Sequence, residues 1–158
     1  MSSSARVKTA PVVRPVRRGL CIIVVCTDMS EADQMGRALS EVNSGCLVTY
    51  RRAEDLMSNA PAGEVALVIL ANESSPVRLD RTLRWLRRRW PRCPLAVVGD
   101  QGGGEREMAA RSSGAMYLTR PVAAEEWSAL LEPILPSRVH ARVPRDSAQP
   151  SGGGRGAR

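Results

Sequence analysis

Apolar residues along this chain come in two alternating patterns: short unbroken runs, and longer stretches spaced by threes and fours. The most continuous run is Val65-Ala66-Leu67-Val68-Ile69-Leu70-Ala71-Asn72, which holds no charge between Glu64 and Glu73. A bounded apolar run of this kind, rich in β-branched residues, suits a strand buried on both faces. Such strands belong to parallel sheets covered by helices on both sides, which places this run near the middle of an α/β domain. Similar but shorter runs predict strands at Leu20–Val25, Cys46–Tyr50, Leu95–Val98 and Ala115–Thr119.

Between the runs lie helical patterns. Ala32, Met35, Leu39 and Val42 make one apolar stripe, started by Ser30 with Asp33 as a variant capping box and stopped at Asn43-Ser44-Gly45. A short helix spans Ala53 to Asn59 and closes at Pro61-Ala62-Gly63. Ser75 and Pro76 open a third helix, with Leu79, Leu83, Leu86 and Trp90 on its inner face and Pro91 at its end. A weakly patterned fourth helix covers Glu105 to Ser113. The fifth carries Glu125 and Glu126 in its first turn, then Trp127, Leu130, Leu131 and Ile134, with Pro133 ending it early. Five strands alternating with five helices predict one right-handed, doubly wound parallel sheet with helices on both faces.

Charge changes this picture only at the ends. The formal net charge is +7, but residues 1–18 contribute +5 and residues 137–158 contribute +4, so the body is near −2. The composition of both ends, rich in Pro, Ser, Gly and Arg, predicts a disordered basic arm (1–18) and a disordered tail (137–158) around a domain at 19–136. Arg17-Arg18-Gly19 before an apolar run looks like an export signal, but Thr27-Asp28 stands where a small-residue cleavage site belongs, so a first strand is expected. No segment is long enough to span a membrane. Cys21, Cys26, Cys46 and Cys93 have no C-x-x-C spacing and His140 is the only histidine, so no zinc site, no cofactor and reduced thiols in a cytoplasmic protein are expected.

Two stretches carry a likeness: Gly114-Ala115-Met116-Tyr117-Leu118-Thr119-Arg120-Pro121, and Leu83–Arg92 leading into Cys93-Pro94-Leu95. Through them residues 20–135 resemble a response-regulator receiver domain of bacterial two-component signalling, whose fifth strand commonly reads Gly-Ala-x-x-Tyr-Leu-x-Lys-Pro. The resemblance implies a flavodoxin-like α/β fold, a doubly wound five-stranded parallel sheet in the order 2-1-3-4-5. The resemblance implies a cis Arg120-Pro121 bond. It also implies a phospho-acceptor aspartate after the third strand, where this chain has Ala71 or Asn72. The acidic pair that would hold magnesium falls on Cys26 and Thr27, with Asp28 displaced beyond them. The strand-four hydroxyl falls on Gly99, and the lysine on Arg120. A hard cation wants oxygen ligands and a carboxylate is the required nucleophile, so the resemblance implies a pseudo-receiver that is not an enzyme. Its function would be phosphorylation-independent protein interaction through the fourth helix, fifth strand and fifth helix, with Arg106, Arg111, Tyr117 and Glu125 on that face.

Other readings stay open beside it. Asp28, Glu73 and Asp100 could gather around a cation, or Arg120 could neutralise one of them. Gly102-Gly103-Gly104 could cradle an anion or form an ordinary loop, with no Gly-Lys-Ser to make it a P-loop. Arg81, Arg84 and Arg88 share a helix face that could meet phosphates, although Trp85, Trp90 and Trp127 are expected to be used in packing. Tyr117 is either a fixed residue of the partner face or edge packing. The partner is a signalling protein or a second copy of the chain. Two further function classes are a small-ligand sensor using the vacated strand-end pocket and a nucleic-acid-associated protein working through its tails.

Overall fold

The computed structural model describes residues 21–42, 46–71 and 75–134. Its strands are β1 (Cys21–Val25), β2 (Cys46–Tyr50), β3 (Val65–Leu70), β4 (Leu95–Gly99) and β5 (Met116–Thr119). Its helices are α1 (Met29–Val42), α2 (Ala53–Ser58), α3 (Pro76–Arg89), α4 (Gly104–Ser112) and α5 (Ala124–Leu131). The strands form one parallel sheet, as the alternation predicts, in the order β2-β1-β3-β4-β5 that the resemblance implies.

Side-chain alternation along the strands splits the core in two. Ile23, Val25, Val68, Leu70 and Val97 face Leu56 of α2, Leu79, Leu83 and Leu86 of α3, and Ala110 of α4. Ile22, Val24, Leu67, Ile69, Ala96 and Val98 face Ala32, Met35 and Leu39 of α1, and Trp127, Leu130 and Leu131 of α5. Every residue of β3 is buried, which is why its run carries no polar position. Burial of each large side chain contributes about 1.5–3 kcal/mol, so this pattern dominates the choice of fold.

Several boundaries move. α1 begins at Met29, one residue before the expected start, because Asp28 rather than Ser30 caps it. Ser75 has the extended backbone of an N-cap and its carbonyl accepts from Leu79 N (3.0 Å), but its hydroxyl makes no capping bond. At α5 the Glu126 carboxylate accepts from Ala123 N (2.9 Å), while Ala123 has no side-chain acceptor with which to reciprocate. β3 ends at Leu70, two residues before the end of the apolar run, and β4 extends to Gly99. The Arg120–Pro121 bond is cis, as the resemblance implies.

Arg87 of α3 is half-buried. It donates to the carbonyls of Ser113 (3.0 Å), Cys93 (2.8 Å) and Gly114 (2.8 Å), tying α3 to the entry of β4 and the turn after α4. The expectations for residues 1–18, 43–45 and 137–158, and for Asn72 and Glu73, lie outside the described residues.

Candidate functional site at the strand ends

β1 leads to β2 on one side of the sheet, and β3 leads to β4 on the other, so the crevice where ligands bind in such sheets opens at the carboxyl ends of β1 and β3. Backbone bonds fix what meets there. Ala71 N donates to Val25 O (2.8 Å), Cys26 N to Tyr50 O (2.9 Å) and Arg120 N to Gly99 O (2.8 Å). Cys26, Ala71, Gly99 and Arg120, assigned to one site by the resemblance, are thus brought together.

Arg120 fills the centre. Its Nε donates to Glu31 Oε1 (2.5 Å) and its Nη2 to Glu31 Oε2 (3.2 Å), a fork only a guanidinium can make. Nη2 also donates to the Ala71 carbonyl (2.7 Å) and Nη1 to Asp100 Oδ1 (3.3 Å). The side chains of Arg120 and Glu31 are only 28% and 24% exposed, so this pair is less screened than a surface bridge. The bond to Glu31 raises the guanidinium further above its ordinary range, which keeps it charged.

The Cys26 side chain is buried beside this pair. Its Sγ donates to Asp28 O (3.2 Å) and lies 3.5 Å from Glu31 Oε2. Burial, and next the Glu31 charge, push the thiol up to about 11. It is therefore a protonated thiol at neutral pH, unlike the thiolates that attack electrophiles or bind metals.

Of the two readings for Asp28, Glu73 and Asp100, the described residues support neutralisation by Arg120, at Asp100. Asp28 turns toward α1, where Oδ1 accepts from Ser30 N (2.8 Å) and Glu31 N (3.3 Å). Thr27 is exposed and donates to Arg51 O (3.2 Å). Asp100 makes the long contact to Arg120, and Glu73 lies outside the described residues. The main carboxylate is Glu31, which sequence reasoning missed. Its signal was available only as an acidic residue in the first turn of a helix starting just after Cys26. Among the described residues no three His, Cys, Asp or Glu side chains come close enough to share a metal ion. A thiol and a carboxylate already clasped by arginine do not suit a hard divalent cation.

Tyr117 is half-buried against the core face shared by α2, α3 and α4, and its hydroxyl donates to Asp100 O (3.2 Å). The ring uses space left by two glycines. A Cβ at Gly103 would come 2.6 Å from the Tyr117 oxygen, and one at Gly99 would collide with it. The glycine-rich loop thus makes room for an aromatic side chain, a role its sequence did not suggest.

The expected partner face is mixed. Arg111 is exposed and bridges Glu107 (2.7 Å), and Glu125 is exposed. Arg106 is only half-buried, with Nε enclosed and without a partner, so it is less free than expected. Met108 of α4 and Met116 of β5, on elements that pack together, are 68% and 47% exposed. On α3, Arg78, Arg81, Arg84 and Arg88 are exposed, with Arg84 paired to Asp80. Trp85 and Trp90 pack edge to face at 5.9 Å and Trp127 is buried, so the tryptophans are used in packing as expected.

No protein-family model and no curated protein matches the chain. Solved structures do. A signal receiver domain of an HD domain-containing protein from Pseudomonas fluorescens is similar with 22% identity and a TM-score of 0.61, covering 78% of this chain and 92% of that one. A CheY-like protein (tadZ) from Pseudomonas aeruginosa has 17% identity and a TM-score of 0.61, covering 73% and 99%. The chemotaxis response regulator CheY4 of Vibrio cholerae has 15% identity and a TM-score of 0.61, covering 73% and 98%. The fold is therefore that of the CheY-like receiver domains. No helix of the described residues is long and apolar enough to cross a membrane.

Proposed function

We propose that this chain is a pseudo-receiver: a cytoplasmic, non-enzymatic interaction module of bacterial two-component-type signalling that works without phosphorylation. The observation carrying this reading is the Arg120 guanidinium seated between Glu31, Asp100 and the Ala71 carbonyl. Where a phosphorylatable receiver would need a metal and a free carboxylate, this chain has an internal ion pair, a protonated Cys26 thiol and Ala71. The body at 19–136 then acts through the surface of α4, β5 and α5. The partner is a signalling protein whose contact charges oppose Arg111 and Glu125 locally. The filled strand ends favour this reading over small-ligand sensing at the same place.

Incubation with acetyl phosphate and magnesium tests it. The intact mass stays unchanged, and beryllofluoride leaves the amide spectrum unperturbed. A stoichiometric, base-labile mass increase would sink the assignment.

A further inference from the structure

Cys21 opens β1, Cys46 opens β2, and the two are register partners in the parallel ladder. Register partners in adjacent strands point to the same face, and both pack against the core beneath α2, α3 and α4. Both are free and only partly buried. Burial, followed by the adjoining Cys46, pushes Cys21 up to about 11. Neighbouring strands run about 4.8 Å apart, inside the Cα separation of roughly 4.4–6.8 Å that a disulfide spans. The remaining cysteines are placed differently. Cys26 lies beyond the other end of β1 and joins the opposite core, and buried Cys93 donates to Pro94 O (3.4 Å).

We infer that Cys21 and Cys46 are a thiol–disulfide modification site that closes a bridge across β1 and β2 with a low-molecular-weight disulfide as oxidant. Cys46, as its thiolate, attacks a sulfur of the oxidant. The oxidant's S–S bond breaks and one reduced thiol leaves. The second protein sulfur then attacks the mixed disulfide, forming the Cys21–Cys46 bond and releasing the second thiol. The two cysteine protons end on the two departing thiols, and two electrons pass to the oxidant. A bridge between register partners sits near the short end of the allowed span, which favours reversibility over a permanent staple. It forms at the amino ends of the strands, away from Arg120, so it stands independently of the strand-end reading.

The full chain is incubated with glutathione disulfide, alkylated, digested and mapped by mass. The expected product is a Cys21–Cys46 linked peptide in a monomer that has lost two hydrogens. Its melting temperature rises by at least about 4 °C and falls back on reduction, because the bridge restricts the unfolded chain. The Cys46→Ser variant shows no such rise. A persistent glutathione adduct, a Cys21–Cys93 link, an intermolecular bridge or four unmodified thiols would each overturn the inference. So would a melting rise that survives in Cys46→Ser.

Discussion

The Tyr117 hydroxyl occupies the space that a side chain at Gly99 would fill. The two residues sit on adjacent strands, β4 and β5, two register positions apart, with Val97 opposite Tyr117 and Gly99 opposite Thr119. The tyrosine is therefore seated inward by the absence of a neighbour, with the Asp100 carbonyl as its hydrogen-bond acceptor.

Adding a methyl group at this place tests the relationship. Gly99→Ala is expected to cost about 1–3 kcal/mol, the usual range for overpacking. In a Tyr117→Ala background the same substitution is expected to cost little, because its collision partner is gone. Denaturant unfolding of the four proteins gives the coupling directly. Additive costs would show that Tyr117 does not depend on Gly99 for its seat.

A second prediction concerns the strand-end pair. Arg120→Met leaves Glu31 three-quarters buried without its fork and strips the Nη2 donor from the Ala71 carbonyl. Stability should fall by about 1–3 kcal/mol, and Glu31→Gln added to it should recover part of that loss. Arg120→Lys should recover less than half, since an ammonium cannot bond both carboxylate oxygens in the same plane. Equal stability of the Lys and Arg proteins would mean that charge alone matters here.

The fold was legible because its signals are local. The run around Val68 and Ile69, the stripe Leu79-Leu83-Leu86, and the turn residues between them each state a period and a boundary. At the strand ends the sequence showed only which residue types stand at Cys26, Ala71 and Gly99. How the neighbouring side chains are joined was not legible. Glu31 and Arg120 are 89 positions apart, and nothing in the spacing of either announces the other. Arg87 was equally hidden, because three carbonyl acceptors appear only when α3, α4 and β4 converge. Asp28 offered a reading as a cation ligand, and the geometry makes it a helix cap instead.

Alkaline pH supplies a third prediction. Burial is the leading cause that raises Cys21, Cys26 and Cys93 from 9.0 to about 11. A raised folded-state value means the unfolded chain ionises first. This contribution is thus fully present below pH 9 and is lost as pH rises from 9 toward about 11. With all thiols reduced, the loss should be on the order of 1 kcal/mol per thiol after allowance for solvent screening. Urea midpoints measured across this window should fall, and fall less in Cys26→Ala. Rising midpoints would mean that the thiols ionise more easily folded than unfolded.

The last prediction tests the face itself. If α4, β5 and α5 carry the contact, exposed charge there should matter more than exposed charge elsewhere. Arg111 and Glu125 suit the experiment because both are exposed and neither supports the core. Arg111 has only its one-turn bridge to Glu107, which is worth about 0.3–0.5 kcal/mol. The doubly reversed protein, Arg111→Glu with Glu125→Arg, should melt within a few degrees of the parent. It should nevertheless lose at least tenfold in affinity for a partner isolated with the parent chain, because like charges then oppose across the contact. Arg106 is left out of the test, since its enclosed Nε would confuse packing with recognition. The control is the α3 surface, where Arg78, Arg81 and Arg88 are exposed. Reversing those three should leave partner affinity near the parent's. Were affinity to collapse there, and hold in the Arg111 and Glu125 reversal, recognition would belong to the arginine face of α3.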